Sequence, residues 1–205
     1  MEEKVKEIIA SATEVFLRFG FKNVSMDDMA RELRMSKKTL YKYFSDKNDL
    51  VKQAISVGVE MDRCNITEQM NNADNAIEEI LGITEHIAVK MKQAHPSIFF
   101  ELEKYYPESW ALFIEFRESF TCSCMLNNLK RGIKEGLYRD NINTDVVARF
   151  FIDILDSVFK QSLDVNQQLS FVELHKSALI YHLYSITNEK GKIYLESKII
   201  NNSVN

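Results

Sequence analysis

The chain has 205 residues, of which 45% are hydrophobic and 27% charged, and its formal net charge is −4. This length is typical of one or two domains with a substantial core, and the composition excludes an intrinsically disordered protein. Only 6 Gly and 2 Pro are present, which favours long helices and argues against a many-turned β fold. No apolar run reaches the roughly 18 residues of a membrane span, and the N-terminus lacks an apolar signal core, so we expect a cytoplasmic protein without membrane association.

The first predicted element is a helix from Glu3 to Phe19. Ile8, Ala12 and Phe16 recur on one helical face, and Gly20 follows as a natural residue for the left-handed end of a helix. We interpret this helix as scaffold.

Residues 25–47 predict two short helices joined by a tight turn, which is a helix-turn-helix. Ser25 suits the N-cap of the first helix, and Ser36 opens the second. In the second helix Leu40 and Phe44 lie four residues apart and are expected to point inward. The rest of its surface carries hydrogen-bond donors and rings: Lys37, Lys38, Thr39, Tyr41, Lys42 and Tyr43. Helices of this kind enter the major groove of DNA, where such side chains meet base edges and phosphates.

Charge is distributed unevenly along the chain. Residues 1–52 hold 11 Lys and Arg against 9 Asp and Glu, a net charge of +2, whereas the remainder holds 15 against 21, a net charge of −6. Within 31–47 six basic residues stand against two acidic ones. This local excess is what binding to phosphates requires, although a solvated helix face gives the same count.

Residues 5 to 55 resemble the DNA-binding domain of the TetR family of bacterial one-component transcriptional regulators, in its AcrR-like form. The specific part of the resemblance is the run Thr-Leu-Tyr-x-x-Phe-x-x-Lys. The full ordered set is Ala12, Phe16, Gly20, Ser25, Ala30, Ser36, Thr39, Leu40, Tyr41, Phe44, Lys47 and Leu50. Two residues depart from the family pattern: Arg34 stands at a turn position usually held by Gly, and Lys38 replaces a small residue. If the turn requires a positive φ, Arg34 costs roughly 1 kcal/mol there.

The resemblance implies an all-α fold of two domains. Residues 1–50 would form a three-helix DNA-binding domain, and 51–205 a helical effector-binding and dimerisation domain. A fourth helix is predicted from about Asp46 to Met70, with Lys47 at its start against a DNA phosphate. The implied DNA-binding residues are Ser25, Ser36, Lys37, Lys38, Thr39, Tyr41, Lys42, Tyr43 and Lys47.

From residue 73 onward the pattern is helical, with a short helix at 96–106, a long one at 107–135, and two more at 145–164 and 170–187. A short extra helix is predicted after Gly191, and 201–205 is expected to be frayed. The last two long helices carry apolar stripes and resemble the family's dimer-forming pair. The implied interface residues are Phe150, Ile154, Val158, Leu174, Ala178 and Tyr181. The alternative is that these stripes face the core of their own protomer.

The resemblance also implies a ligand, since proteins of this type enclose a pocket in which an effector moves the fourth helix. The aromatic density of 99–120 suits an apolar or aromatic effector, and Glu101 or Glu115 is placed to face a cation. The candidate effector-binding residues are Met61, Phe99, Phe100, Tyr106, Trp110, Phe113, Phe116 and Phe120. Each of these residues, taken singly, is also explained by packing. The effector, the operator and the regulated genes stay unidentified.

The remaining chemistry argues against an enzyme, a metal site or a cofactor. Cys64, Cys122 and Cys124 are badly spaced for zinc, and no phosphate-binding Gly loop or catalytic triad is visible. Acidic pairs such as Glu101 with Glu103 are expected to be solvated. His175 and His182 are interpreted as an interface pair. The expected function is a repressor released from a palindromic operator; the alternatives are a protein-interaction module, or a redox or metal sensor, on a similar scaffold.

Overall fold

The computed structural model describes residues 3–162 and 169–203, and its regular structure within those ranges is helical, without a strand. A single pair, Tyr138 and Thr187, forms an isolated antiparallel bridge there. The predicted all-α class is therefore confirmed. The helices are α1 Glu3–Phe19, α2 Met26–Glu32, α3 Lys37–Tyr43, α4 Lys47–Asn72, α5 Ala76–Lys92, α6 Ile98–Tyr105, α7 Pro107–Phe116, α8 Cys122–Lys134, α9 Thr144–Ser162, α10 Phe171–Ile186 and α11 Glu189–Ser203. None of them has the length and apolar character needed to cross a bilayer.

Three predictions about the helices in the second half of the chain need correction. The long helix expected at 107–135 is interrupted by a π-helical turn, Arg117–Thr121, between α7 and α8. The extra helix after Gly191 is longer than expected, because α11 begins at Glu189 and runs to Ser203. The frayed end predicted for 201–205 is therefore wrong as far as Ser203, and the last two residues lie outside the described range.

The chain divides into two compact units: Met1–Asn65 with Lys92–Arg117, and Ile66–Met91 with Glu118–Asn205. This division differs from the predicted boundary at residue 50, since α6 and α7 group with the first three helices. The functional division into 1–50 and 51–205 stays a prediction.

The first unit has an apolar core built from the inward faces of its helices. Ile9, Ala12 and Phe16 of α1 are buried, as are Leu40 of α3 and Leu50 of α4. The ring of Phe21 lies 5.1 Å from that of Phe16, which closes the core at the end of α1. Each fully buried aliphatic or aromatic side chain contributes about 1.5–3 kcal/mol, so this core holds the reading head, which we define as α1, α2 and α3.

The second unit combines an apolar core with a partly buried polar network. Arg131 of α8 donates to the carbonyl oxygens of Met70 and Ala73 at 3.2 and 2.7 Å, and so caps the C-terminal end of α4. The same guanidinium pairs with Glu79 at 3.0 Å and with Glu135 at 2.6 Å. Because the last carbonyls of a helix have no partner within it, a charged donor there is stabilising.

Close backbone packing fixes the region that follows α8. A Cβ atom on Gly132 would overlap the ring of Tyr138, and one on Gly191 would overlap the carbonyl oxygen of Leu137. Tyr138 is buried, and its hydroxyl donates to Asn128 at 3.0 Å. Glycine is thus required at both positions so that α8 and α11 can approach the segment at 137–138.

Candidate nucleic-acid interface

Helix α2 begins with a reciprocal cap. The Ser25 Oγ accepts a hydrogen bond from the Asp28 amide at 3.1 Å, and the Asp28 carboxylate accepts one from the Ser25 amide at 3.0 Å. Two of the unpaired amides at the helix start are satisfied in this way. Ser25 is therefore the N-cap that the sequence predicts; its contact with DNA stays a prediction.

The turn between α2 and α3 uses a left-handed residue. Arg34 has a φ of 52°, and the amide of Met35 donates to the carbonyl oxygen of Ala30 at 2.9 Å. This geometry is the one that a glycine adopts without strain, so the expected cost of Arg34, about 1 kcal/mol, applies. The positive φ that the sequence left conditional is confirmed.

Helix α3 has an apolar inner side and a polar outer side. Ser36 caps it by accepting from the Thr39 amide at 3.0 Å. Leu40 and Phe44 are completely buried, as predicted from their spacing. Lys37, Lys38, Tyr41 and Lys42 are exposed, and Thr39 and Tyr43 are half-buried. The structure therefore brings the predicted base-reading side chains onto one short, capped helix.

One residue beside α3 was not singled out by the sequence. Asp27 of α2 forms an ion pair with Lys37, with 2.7 Å between Oδ1 and Nζ. The hydrogen bond to Asp27, reinforced by its charge, raises the pKa of Lys37. Lys37 is the first residue of α3, so Asp27 of α2 binds the ammonium group at the N-terminal end of that helix.

Lys47 stands at the first position of α4 and is half-buried. Its Nζ lies 6.0 Å from the centre of the Tyr106 ring. Burial lowers the pKa of Lys47, while the charges of Glu101 and Asp28 act in the opposite direction. A cation at the N-terminus of a helix is suited to a phosphate.

The acidic residue Glu101 is placed differently from the expectation of a solvated pair. It is only 5% exposed, and its carboxylate accepts from the Lys22 amide at 2.7 Å and from the Ser97 hydroxyl at 2.6 Å. The spacing of residues in the sequence indicates this burial: Glu101 lies three residues after Ile98 and beside Leu102, on the inward face of α6. Both oxygens serve the first unit itself, so the cation-facing role suggested for Glu101 is not the one its geometry supports.

The candidate effector residues do not share one setting. The rings of Phe99 and Phe113 stack with 5.7 Å between centres, and Trp110 lies 5.6 Å from Phe113. Tyr106 packs against Phe21, which lies between α1 and α2, with 5.6 Å between the ring centres. Phe116 is nearly buried, with the guanidinium of Arg63 5.3 Å above its ring, whereas Met61 and Phe100 are exposed. Phe120 lies in the π-helical turn and belongs to the other unit. The ligand-binding role of this set stays a prediction.

The candidate dimer residues also divide. Phe150 is 60% exposed and Tyr181 is 76% exposed, with Ile154 beside Phe150 on the open side of α9. Val158 is buried, and Leu174 and Ala178 are half-buried. Part of each stripe therefore faces the protomer's own core, whereas Phe150, Ile154 and Tyr181 are exposed in the single chain.

The histidine pair does not lie on the uncovered side of α10. His175 and His182 are each only 4% exposed, and they contact the rings of Phe171 and Phe151 at 5.4 and 4.7 Å. Burial lowers the pKa of each to about 4. Interpreting them as an interface pair was wrong: both are neutral side chains of the protomer's interior. In the described part of the chain no group of three or more His, Cys, Asp and Glu is arranged to hold a metal.

Comparisons with known proteins agree with this architecture. Residues 8–54 match the family of bacterial regulatory proteins described as the tetR family. The HTH-type transcriptional regulator YvaF of Bacillus subtilis (strain 168) is 24% identical over 188 residues, which is 90% of this chain and 96% of that protein.

Two solved structures share the fold. A transcriptional regulator from Cytophaga hutchinsonii superposes with a TM-score of 0.74 at 18% identity, over 91% of this chain and 100% of that one. A regulator from Saccharomonospora viridis, solved in complex with choline, gives a TM-score of 0.69 at 18% identity, over 92% and 100%. Together with the capped helix-turn-helix at 25–44, these matches show that residues 8–54 form a DNA-binding domain of the tetR family, and that the whole chain has the fold of the solved transcriptional regulators.

Proposed function

We propose that this regulator is a repressor that binds a two-fold symmetric DNA operator as a homodimer and is released by a small hydrophobic effector. The observation that carries the proposal is the arrangement of α3. Its exposed Lys and Tyr side chains lie on a helix that is held in place by the Ser36 N-cap and by the burial of Leu40. Short helices of this chemistry read base edges with their N-terminal residues.

The proposed DNA surface consists of α3 with the starts of α2 and α4. Lys37, Lys38 and Lys42 supply charge, and Lys47 adds a cation at the N-terminus of α4. We assign base contacts to Lys37, Thr39 and Tyr43, and phosphate contacts to the set Ser25, Ser36, Lys38, Tyr41, Lys42 and Lys47. Phosphate contacts supply most of the affinity, and base contacts supply the specificity.

Selection from a random duplex pool, followed by binding measurements over a range of salt, tests this assignment. The selected sequence is expected to be a palindrome. If each protomer meets about four phosphates, the logarithm of the affinity should fall with the logarithm of the salt concentration with a slope near −7. An affinity independent of salt, or tight binding to a single asymmetric half-site, would contradict the proposal.

The proposed dimer uses the uncovered side of α9 and α10. Phe150, Ile154 and Tyr181 are exposed there, and Val146 and Tyr184 lie uncovered on the same two helices. Apolar side chains of this size on neighbouring helices are typical of surfaces that meet a second copy in a four-helix arrangement. A palindromic operator requires such a two-fold dimer.

The proposed effector site lies among the rings of α6 and α7. The ring of Phe113 contacts both Phe99 and Trp110. Helix α4 is continuous from Lys47 to Asn72 and can convey a change at the ligand to the DNA surface. The choline complex of the Saccharomonospora viridis relative suggests that cations carrying apolar groups belong in the ligand screen, since aromatic faces attract them.

Displacement from the selected operator tests the effector. Choline and a set of neutral aromatic compounds are added to the complex, and Trp110→Ala is compared with the unaltered protein. A ligand that prefers the DNA-free form 100-fold shifts the equilibrium by about 2.7 kcal/mol. If the ligand displaces Trp110→Ala from the operator as strongly as it displaces the unaltered protein, the effector site does not lie among these rings.

A further inference from the structure

The segment that leads into α6 attaches to the reading head at the place where α1 ends. The amide of His95 donates to the carbonyl oxygen of Leu17, in the last turn of α1, at 2.7 Å. The Glu101 carboxylate accepts from the amide of Lys22 at 2.7 Å. We call residues 20–24, which join α1 to α2, the α1–α2 corner. One backbone bond and one side-chain bond therefore tie the α6 segment to this corner and to the helix before it.

The corner is shaped to admit the Glu101 carboxylate. Gly20 has a φ of +82°, and a Cβ atom there would lie 2.9 Å from Oε2 and 3.2 Å from Oε1 of Glu101. Any larger residue at position 20 would therefore push the carboxylate away. The absence of a side chain at Gly20 thus serves two ends: it allows the left-handed conformation, and it lets a buried acid approach the backbone.

The carboxylate is held from its own helix as well. Ser97 donates its hydroxyl to Oε1 at 2.6 Å, and Nδ1 of His95 lies 2.8 Å from that hydroxyl oxygen. Both oxygens of Glu101 are thus occupied, one by the α6 segment and one by the corner. A buried carboxylate with such partners is rigidly placed, because leaving either donor unpaired would carry the full desolvation penalty of a buried polar group.

We propose that Glu101 is a positioning residue for DNA binding, through which α6 holds the α1–α2 corner and so sets the orientation of α2 and α3. Phe21 of the corner packs on Phe16 and on Tyr106, so a displaced corner moves the core on which α3 rests. The inference deepens the proposed function and rests on it. It assigns the link between α6 and the DNA surface to one side chain.

The test compares operator binding by Glu101→Ala and Glu101→Gln with binding by Glu103→Gln, a matched control on the exposed side of the same helix. Glu101→Ala should weaken binding by at least about tenfold, because it frees the Lys22 amide. Glu101→Gln, which keeps one acceptor oxygen, should weaken it less. Glu103→Gln should bind as the unaltered protein does.

Amide exchange separates positioning from general loosening of the head. In Glu101→Ala the Lys22 amide should exchange at least about tenfold faster, while the Phe44 amide, which donates to Leu40 at 3.1 Å, keeps its rate. A merely structural role would accelerate both amides and leave the operator affinity of the folded protein unchanged. That result would overturn the inference.

A double-mutant cycle supplies the second test. Gly20→Ala should weaken operator binding in the unaltered protein, because its Cβ meets the carboxylate. In the Glu101→Ala background this loss should shrink at least about threefold, since only backbone strain remains. Strictly additive losses would overturn the inference.

Two outcomes separate this inference from the proposed function. Failure of the unaltered protein to bind any selected duplex would remove the proposed function, and the inference with it. Normal operator binding by both Glu101 variants would remove the inference alone. If Glu101→Ala does not fold, Glu101→Gln decides: an affinity and a Lys22 exchange rate equal to those of Glu103→Gln overturn the inference.

Discussion

Helices α3 and α10 have opposite arrangements of polar and apolar residues. In α3 the Lys and Tyr side chains face outward and Leu40 is buried. In α10 the polar histidines, His175 and His182, are buried, and the large ring of Tyr181 is exposed. The first arrangement suits a helix whose outer partner is water or a charged polymer. The second suits a helix that is covered on both sides once its partner is present.

The contrast teaches that exposure alone does not identify a binding surface. Both helices are partly uncovered in the single chain, but they call for different partners because the chemistry of the uncovered side differs. Phosphate binding needs exposed cationic side chains, and its affinity falls as the salt concentration rises. Association of two like surfaces needs apolar area. The following predictions test each half of that comparison.

The largest effect is expected at the apolar surface. Phe150→Glu and Tyr181→Glu should each dissociate the dimer, at a cost of several kcal/mol, because two symmetry-related charges would enter an apolar seam. Sedimentation velocity measures the outcome. These positions are better choices than Ala178, which packs against the core of its own unit. Ile193→Glu on α11, where Ile193 is 69% exposed, is the control and should leave the dimer intact.

The next effect concerns the buried histidines of α10. Burial holds the pKa of His175 and of His182 at about 4 in the folded state, below the ordinary value of 6.5. The unfolded chain therefore takes up protons first as the pH falls through 6.5, and the free energy of unfolding decreases from there down to about pH 4. The loss is up to about 3 kcal/mol per histidine.

Thermal unfolding at several pH values measures this loss. His175→Phe and His182→Phe should flatten the dependence of the Tm on pH between 6.5 and 4, relative to the unaltered protein. At pH 8, where both histidines are neutral, the variants report only the change in packing. An unchanged slope in both variants would mean that other groups control acid unfolding.

At the polar surface the expected effects are smaller. Lys37→Ala and Tyr43→Ala should each weaken specific operator binding by about 1–3 kcal/mol and relax the preference at the bases they meet. Competition assays against single-base operator variants measure the preference. Lys190→Ala on α11 is a charge-matched control. Equal losses on specific and random duplex would reassign both residues to phosphate contacts.

The smallest effect is expected from the ion pair beside α3. Asp27→Asn removes the carboxylate that holds Lys37 at 2.7 Å, so Lys37 no longer exchanges one anion for another when DNA binds. Operator affinity should rise by a few fold, in keeping with the modest strength of exposed ion pairs. Asp74→Asn, an exposed carboxylate in the other unit, is the control. A lower affinity in Asp27→Asn would show that the pair positions Lys37 for the groove.

The reading head could be predicted well because its signals are local. Ser25 and Ser36 mark helix starts, Gly20 marks a helix end, and Leu40 with Phe44 marks the buried side of α3; each depends on neighbours within four residues. The fit of Arg34 to a left-handed turn follows from the same short-range geometry. The sequence therefore predicted both the elements and the outward side chains of this region.

The rest could not be predicted because it depends on distant contacts. The burial of Glu101 depends on Gly20, 81 positions earlier in the printed sequence. Helix α10 is apolar around most of its circumference, so spacing did not show which side meets α9. The π-helical turn at Arg117–Thr121 lies in an unbroken helical pattern with no Gly or Pro to mark it.

The approach of Gly191 to the Leu137 carbonyl bears on how the chain tolerates shortening. In the first turn of α11, at Gly191, no side chain fits. Leu195 of the same helix is completely buried, and the Tyr194 hydroxyl donates to Glu78 at 2.8 Å. Removal of residues from 189 onward would uncover the apolar core of the second unit, to which Leu195 belongs, and expose it to proteases. Limited proteolysis of the full chain should accordingly leave the peptide bonds of α11 uncut. A chain that ends at residue 188 and is fused there to another protein should be insoluble.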